Sequence, residues 1–247
     1  MEGPPAAAMP SDVPPPVRGL ERRHIHVVYQ PIVDLEHGVA RAQEALVRCQ
    51  VDAYRNPEKL FQLAVEQDAV GRLGRTIREV TFEQAPQSNL FVNIHPEELK
   101  SRWLVRPDDP LCLHGGELYL EITESAALDY FDLCTGVLKE ICARTGAHLV
   151  IDDFGAGYSN LKRVVDLEPR VVKLDRALIT DIDMNPRQRI LVEQLVQTCA
   201  ALGAHVVAEG IETVGEFQAV RDAGVTFGQG YLFARPEFPI PPVNWPE

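Results

Sequence analysis

Carboxylate and amide side chains recur at the ends of apolar stretches along this 247-residue chain. In one such place, Asp152 and Asp153 directly follow the apolar residues Leu149, Val150 and Ile151. Asp is disfavoured in strands, and two adjacent carboxylates repel each other, so the pair needs a compensating positive charge. Further polar residues lie on or after the other apolar stretches: Glu44, Asn93, Glu121, Glu124, Lys173, Asp175, Glu209, Glu212 and Gln229.

A set of this kind could bind hard cations. Oxygen donors without His or Cys favour Mg²⁺ or Mn²⁺, and adjacent aspartates suit a pair of ions bridged by one carboxylate. Taken singly, each residue has a simpler interpretation, because an Asn or Glu at a strand end is more often a turn or helix cap. Asp152 and Asp153 could likewise begin a turn. Capping does not require an acid on nearly every strand, so the joint pattern predicts a metal site wherever these strand ends converge.

Eight short β-rich stretches would carry these residues. The first two are separated by "DLEHG", a turn signal short enough for an antiparallel hairpin. A long helical stretch then runs from about Pro57 to Ala85, with an expected break near Gly71 and Gly74. Amphipathic segments separate most of the later strands. The predicted strands cover residues 26–33, 39–48, 89–94, 117–122, 148–154, 170–175, 205–211 and 226–233.

The order of these elements predicts an α/β fold, a (β/α)8 TIM-type barrel modified by its antiparallel opening hairpin. The carboxyl ends of barrel strands open onto one face, where the polar residues would meet. An open doubly wound sheet is the alternative, but the GxGxxG and GxxxxGK[ST] phosphate loops are both missing. Residues 1–20 are predicted to form a flexible Pro/Ala-rich tail and residues 21–247 a single barrel domain.

The composition excludes several classes of partner. Thirty-six acidic against 24 basic residues give a net charge of −12, which argues against binding a nucleic acid polymer or an anionic membrane. No apolar run approaches the roughly 18 residues of a membrane span, so no membrane insertion is expected. Five cysteines without CxxC spacing are interpreted as reduced core thiols of a cytoplasmic protein.

Several motifs, taken together, resemble the EAL-domain family of cyclic di-GMP phosphodiesterases. "YQPIVDLEHG" and "EALVR" resemble the opening of that family, and six further stretches follow in the family's order: "FVNIHPEEL", "LYLEITES", "IDDFGAGYSNL", "VVKLDRALI", "VVAEGIET" and "GQGYLFARP". The resemblance covers roughly residues 24–238. It implies a barrel, hydrolysis of cyclic di-GMP to linear pGpG, and two Mg²⁺ or Mn²⁺ ions.

The resemblance also implies a role for each matching residue. The ligands of one metal would be Glu44, Asn93, Glu121 and Asp152, and those of the second would be Asp152, Asp153 and Glu209. Lys173 matches the lysine that contacts the attacking water, and with Asp152 and Glu209 it forms the expected catalytic set. Residues expected near the ligand are Gln30, Arg48, Asp175 and Gln229, and those expected to support the site or its loop are Glu124, Glu212 and again Gln229.

Simpler interpretations remain for two of these residues. Arg48 could form a surface salt bridge, and Lys173 could be a structural partner of Asp175 or of the acidic cluster. At the level of the whole chain, a cyclic di-GMP receptor that does not hydrolyse its ligand is the first alternative, but no metal-ligand position is substituted. An enolase-type enzyme is the second, but its usual capping domain does not fit here.

The stretch "DFGAGYSNL" resembles the family's regulatory loop, which couples subunit contact to metal binding. We therefore expect a homodimer with residues 153–160 near the interface, and a regulatory protein partner is possible in this family. The segment "CQVDAYRNPEKLFQLAVEQD" after Arg48 departs from the family pattern. That departure affects the expected subunit packing and the entrance to the site, but not the metal ligands.

Overall fold

In the computed structural model, residues 14–100, 104, 106–155 and 161–246 are described, and eight strands among them close into one barrel. The strands are β1 (Ile25–Asp34), β2 (Ala40–Cys49), β3 (Leu90–Asn93), β4 (Leu118–Thr123), β5 (His148–Phe154), β6 (Val171–Leu174), β7 (His205–Ala208) and β8 (Phe227–Gly228). Each strand pairs with the next in the chain, and β8 closes on β1. The predicted barrel is confirmed.

Strand β1 is antiparallel to both of its neighbours, whereas the pairs from β2 to β8 are parallel. The turn before β2 explains the hairpin, because Oδ1 of Asp34 accepts hydrogen bonds from the backbone N–H groups of Glu36 and His37. Register in this hairpin places Gln30 directly opposite Glu44. The predicted opening hairpin is therefore confirmed, and it brings two predicted site residues side by side.

The last strand is much shorter than the predicted stretch 226–233. Beyond Gly228 the backbone N–H of Leu232 donates to the carbonyl of Ile211, and that of Phe233 donates to the carbonyl of Gly230. These bonds go to the loop after β7 and to a local turn instead of to a strand. Gln229 consequently lies just after β8, at the end of the barrel.

Helices cover the outside of the barrel. They are α1 (Pro57–Glu66), α2 (Val70–Gln84), α3 (Pro96–Lys100), α4 (Glu124–Asp129), α5 (Phe131–Leu133), α6 (Lys139–Thr145), α7 (Leu161–Leu167), α8 (Pro186–Ala201) and α9 (Val214–Asp222), with a π-helical segment Cys134–Leu138 between α5 and α6. Several begin at side-chain caps. Asn56 caps α1, Asn185 caps α8 and Thr213 caps α9.

The predicted helix break near Gly71 and Gly74 was wrong in position. The break lies at residues 67–69, where Asp68 has φ +49°, and both glycines are buried inside α2. Gly74 serves packing instead, because a Cβ there would overlap the buried carboxyl group of Glu98. Glycine at this position therefore reflects a close approach by a neighbouring side chain.

Alternate residues of the strands form stacked layers inside the barrel. An apolar layer consists of Ile32, Ala42, Phe91, Val150, Val171 and Val207, packed against Tyr119 and Phe227. Two residues further along β2, β4, β5 and β6 come Glu44, Glu121, Asp152 and Lys173. Since side chains two apart in a strand share a face, these polar residues lie directly above the apolar layer. The barrel interior is thus apolar in its middle and polar at the carboxyl end.

A buried ion network ties α2 to the segment that follows β3. Arg78 lies 2.7 Å from Glu98 and 3.0 Å from Asp109, and the side chains of all three residues are at most 1% exposed. Oδ1 of Asp109 also accepts hydrogen bonds from Nε of Arg78 and the backbone N–H of Leu111. Each charge in the network is therefore paired.

At the N-terminal end, part of the predicted tail 1–20 lies against the barrel domain. Val17 and Leu20 are each 3% exposed, and the backbone N–H of Val17 donates to Oε1 of Gln67. Residues 1–13 of the predicted tail lie outside the described residues. Within the described part of the chain, no helix has both the length and the apolar character required to cross a membrane.

Candidate metal centre and active site

The polar layer at the carboxyl end of the barrel gathers side chains from most of the strands. Glu44 lies in β2, Glu121 in β4, Asp152 in β5 and Lys173 in β6, and each is buried. Glu209 directly follows β7, and its backbone N–H donates to the carbonyl of Leu174. The parallel order of the strands therefore brings together residues that are remote in sequence.

Lys173 lies at the centre of this layer. Its Nζ is 2.7 Å from Glu209 Oε1, 2.8 Å from Glu121 Oε1, 2.9 Å from Asp152 Oδ1 and 3.6 Å from Glu44 Oε2. Burial alone would lower the pKa of this amine, but the nearby carboxylates, with Asp152 first among them, outweigh burial and raise its pKa well above the usual range. Lys173 is therefore an ammonium ion at any physiological pH, and the simpler interpretation of it as a partner of the acidic cluster describes its contacts correctly.

For several of the surrounding carboxyl groups, burial outweighs the nearby ammonium, and their pKa values are raised. Burial raises the pKa of Glu121 well above its usual range, although Lys173 opposes this. Burial likewise raises the pKa of Glu209 to about 8. The pKa of Asp153 is also raised, by burial first and then by the charge of Asp152. One ammonium does not compensate this many carboxylates, so the cluster has unmet affinity for positive charge.

Two overlapping groups of carboxylates could each hold a cation. The first consists of Glu44, Glu121 and Asp152, the second of Asp152, Asp153 and Glu209, and in each group one oxygen per residue lies within 4.8 Å of the others. Asp152 belongs to both groups. Glu121 Oε1 and Asp152 Oδ1 are buried and accept no hydrogen bond of good geometry from any described residue, although Lys173 lies near them. A donor set of this chemistry fits two hard divalent ions.

Asn93 lies at the end of β3, beside the first group. Its Nδ2 donates to Glu121 Oε2 at 3.1 Å and to Glu44 Oε1 at 3.5 Å. The register pairs Asn93 with Glu121 across β3 and β4. Asn93 therefore contacts Glu44 and Glu121, two of the residues predicted to bind the same metal ion.

Two glutamines support Glu44 from the other side. Nε2 of Gln229 donates to Glu44 Oε2 at 2.5 Å and to Gln30 Oε1 at 3.1 Å. Nε2 of Gln30 in turn donates to the carbonyl of Ala234 at 3.0 Å. Gln30 and Gln229 are both buried, so they form a relay that holds the Glu44 carboxylate in place.

The predicted accessory residues lie at the rim. Oε2 of Glu124 accepts a hydrogen bond from the backbone N–H of Gly155, which belongs to the predicted loop. Residues 156–160 of that loop lie outside the described residues. Asp153 has φ +55°. Glu212 is exposed and lies 3.4 Å from Arg176. Glu124 thus contacts the described start of the loop after β5, while Glu212 pairs with Arg176 of the loop after β6.

The predicted ligand-contact residues are divided between two cavities. One of about 290 Å³ is lined by Gln30, Asp175 and Gln229 together with Glu44 and Glu209. A second of about 370 Å³ is lined by Arg48, Asn93 and Glu121. Arg48 is half-buried, and its Nη1 donates to the Val47 carbonyl. Oδ1 of Asp175 caps the short 3₁₀ turn Arg176–Leu178.

Three residues that the sequence did not single out belong to this region. Arg176 and Tyr231 line the smaller cavity, and Glu216 binds the loop after β7. No periodicity marks Arg176 or Tyr231. The spacing "TVGE" would have indicated Glu216, since Ser or Thr followed three residues later by Glu is a capping box. That pattern predicts the start of a helix, but it does not predict the hydrogen bond between Glu216 and the backbone of Asp181.

Comparison with known proteins gives a consistent result. The EAL domain family matches residues 17–236. Cyclic di-GMP phosphodiesterase RocR of Pseudomonas aeruginosa is 30% identical over 239 residues, which cover 89% of this chain and 59% of RocR. Cyclic di-GMP phosphodiesterase PdeR of Escherichia coli is 30% identical over 237 residues, which cover 89% of this chain and 35% of PdeR. The chain thus spans less than two thirds of the length of each of these relatives.

Solved structures show the same relationship. The calcium and cy-diGMP complex of Klebsiella pneumoniae BlrP1 is 28% identical, with a TM-score of 0.78 over 91% of this chain and 58% of that one. A manganese and cy-diGMP complex of the same protein is 29% identical, with a TM-score of 0.73 over 93% of this chain and 59% of that one. With a family match that spans most of its length, this chain belongs to the EAL domain family.

Proposed function

We propose that this chain hydrolyses cyclic di-GMP to linear pGpG with the help of two divalent ions, Mg²⁺ or Mn²⁺. The observation that carries the proposal is the pair of carboxylate groups that share Asp152, next to a buried ammonium. Relatives named as cyclic di-GMP phosphodiesterases support the substrate. The manganese and calcium complexes of BlrP1 support a divalent ion.

Each group of acids would hold one ion. Glu44, Glu121 and Asp152, with the Asn93 side chain beside them, would hold the first, and Asp152, Asp153 and Glu209 the second. Bound there, the ions would supply Lewis acidity that lowers the pKa of water and neutralises charge on the phosphodiester. Gln229 and Gln30 would keep the Glu44 carboxylate oriented toward its ion.

Lys173 would act as a fixed positive charge. As an ammonium it can donate hydrogen bonds to the attacking water or to phosphoryl oxygens, which orients the nucleophile and stabilises developing negative charge. The raised pKa of its amine favours this donor role over that of a general base. Gln30, Arg48 and Asp175 would contact the rest of the ligand from the two cavities. The guanidinium of Arg48 offers a phosphate two parallel donors.

The charge of the site supports a role for cations in ligand binding. When ionised, six carboxyl groups surround the site against the ammonium of Lys173: Glu44, Glu121, Asp152, Asp153, Glu209 and Glu212. Cyclic di-GMP carries two phosphodiester charges of the same sign as this excess. Without bound cations the site would repel its own substrate.

A homodimer is proposed because "DFGAGYSNL" resembles the regulatory loop of the EAL-domain family. A homodimer would have the segment 153–160 near its interface, with Glu124 and Gly155 linking that segment to the acidic cluster. The cytoplasm is the proposed setting, since all five cysteines are described and unpaired. Light scattering at decreasing protein concentration tests the dimer. A monomer with undiminished activity at high dilution would rule the dimer out.

The decisive test of function is direct. The purified chain is incubated with cyclic di-GMP and either Mg²⁺ or Mn²⁺, and the nucleotides are separated by chromatography. Appearance of pGpG, abolished by EDTA, is the expected result. Recovery of intact ligand over a range of metal and protein concentrations, together with measurable ligand binding, would instead support a receptor that does not hydrolyse cyclic di-GMP.

A further inference from the structure

Glu216 connects two loops at the carboxyl end of the barrel. Its Oε2 accepts hydrogen bonds from the backbone N–H of Glu212 at 2.9 Å and of Thr213 at 3.0 Å. Its Oε1 accepts one from the backbone N–H of Asp181 at 3.1 Å. Residues 212 and 213 belong to the loop after β7, and Asp181 belongs to the segment after β6. One carboxylate therefore holds both loops by their backbones.

The loop after β7 is the one that carries Glu209. At its start, the backbone N–H of Glu209 donates to the Leu174 carbonyl at 3.1 Å. In its middle, the backbone N–H of Ile211 donates to the Gln229 carbonyl at 3.0 Å, and Ile211 is fully buried. The Glu216 carboxylate fastens the far end. Between these points the backbone has little freedom, so the direction of the Glu209 side chain depends on all three attachments.

The start of α9 lies against the segment after β6. A Cβ on Gly215 would meet the carboxyl group of Asp183 in that segment. Glu216 itself is 5% exposed. Burial would raise the pKa of its carboxyl group, but the backbone donors of Glu212, Asp181 and Thr213 outweigh burial and lower that pKa. A buried, ionised carboxylate that accepts this many N–H groups is a strong local constraint.

We infer that Glu216 is a positioning residue: it clamps the Glu209 loop to the segment 176–183 and thereby sets the geometry of the second metal group. The inference rests on the proposed function, in that Glu209 is taken as a metal ligand. Helix capping alone does not require the contact with Asp181, which comes from a different loop. Glu216 would therefore act on the site through Glu209 without touching metal or substrate.

A pair of variants separates this role from simple capping. Glu216→Gln is nearly isosteric, but its single amide oxygen cannot serve both loops, and its NH₂ group would face N–H donors. Thr213→Ala removes the other half of the capping box, in which Thr213 Oγ1 accepts from the backbone N–H of Glu216 at 3.2 Å. The second variant weakens the start of α9 and leaves the three backbone bonds to the Glu216 carboxylate.

Mn²⁺ binding without substrate, followed by electron paramagnetic resonance, is the main readout. Glu216→Gln should raise the dissociation constant of Mn²⁺ about tenfold, the usual size of a loss behind a metal ligand. Thr213→Ala should change it less than about twofold, since the clamp is intact. An equal change in the two variants, or none in Glu216→Gln, would overturn the inference.

Hydrogen exchange provides a second measurement that needs no variant. In the unmodified chain, Mn²⁺ should increase protection in the segment 178–184 as well as in the segment 208–214, because the clamp joins them. Protection confined to 208–214 would overturn the inference even if Glu216→Gln failed to fold. A chain that binds Mn²⁺ tightly but releases no pGpG would contradict the proposed function and leave the role of Glu216 standing. A chain that binds no Mn²⁺ would overturn both.

Discussion

The ammonium of Lys173 lies 2.7 Å from Oε1 of Glu209, although one residue belongs to β6 and the other follows β7. This contact shows that positive charge is already concentrated where the two carboxylate groups meet. It also means that in this structure Lys173 compensates part of the negative charge that divalent ions would otherwise neutralise.

Replacing Lys173 by Met should destabilise the metal-free protein by about 3–5 kcal/mol, because buried carboxylates lose their cation. Added Mg²⁺ should restore more stability to this variant than to the unmodified chain. Thermal unfolding with and without Mg²⁺ measures both effects. Lys162→Met is the matched control, since Lys162 forms an exposed ion pair with Asp166. Its loss should lower the free energy of unfolding by about 1 kcal/mol or less. An equal response of the Lys173 variant and the unmodified chain to metal would contradict this account.

Substitution of Asp152 should be more harmful than substitution of its neighbour. Asp152→Asn affects both carboxylate groups, whereas Asp153→Asn affects one. We expect Asp152→Asn to lower kcat/KM roughly 100-fold more than Asp153→Asn, about 2.7 kcal/mol of transition-state stabilisation. Steady-state kinetics at saturating Mg²⁺ provides the comparison. Equal losses would show that Asp152 is not shared between two ions.

Metal binding should release protons near neutral pH. In the metal-free protein burial raises the pKa of Glu209 to about 8, so near neutral pH part of this group is protonated. A metal ion needs the carboxylate form, and the affinity for Mn²⁺ should therefore fall as the pH falls from 8 to 6. Calorimetry at pH 7 in buffers with different heats of ionisation counts the released protons. A binding heat independent of the buffer would contradict the prediction.

Chelation should weaken ligand binding as well as hydrolysis. Divalent ions offset the negative charge of the acidic cluster. Without them the negatively charged phosphodiesters of cyclic di-GMP are repelled by the carboxylates. We therefore expect the affinity for cyclic di-GMP, measured by calorimetric titration, to be about tenfold or more higher with Ca²⁺ than with EDTA. Contacts to the bases preserve part of the affinity in either condition. Equal affinities would show that charge neutralisation is not what draws the ligand in.

The buried network around Arg78 makes a separate prediction about stability. Arg78→Met should cost about 3–5 kcal/mol of unfolding free energy, because it leaves the buried Glu98 and Asp109 without the cation between them. Urea denaturation measures the change. Arg75→Met, one turn earlier in α2, removes pairs with more exposed carboxylates and should cost about 1 kcal/mol or less. Similar losses of unfolding free energy in the two variants would show that the buried network around Arg78 does not stabilise the fold more than a more exposed pair does.

Much of the fold could be predicted because its signals are local. The apolar residues Leu149 to Ile151 indicate a strand by themselves, and "DLEHG" indicates a hairpin turn. The helix break was misplaced because glycine is usually a helix breaker, whereas Gly74 is required by the packing of Glu98 from another element. The length of β8 was overestimated for a similar reason, since the backbone after Gly228 bonds to the loop at Ile211.

By itself, the sequence determined which groups were available for chemistry and which of them would share a face. Their positions on or just after the predicted strands are enough to expect Glu44, Glu121, Asp152 and Lys173 at the carboxyl end of a barrel. Only the tertiary structure decided their partners. Closing the barrel set Lys173 among four carboxylates from four different places in the chain, and it turned Gln30 toward Gln229. It also gave Glu216 its contact with Asp181. Distances between remote residues depend on how the strands close and how the loops pack, and no local pattern encodes them.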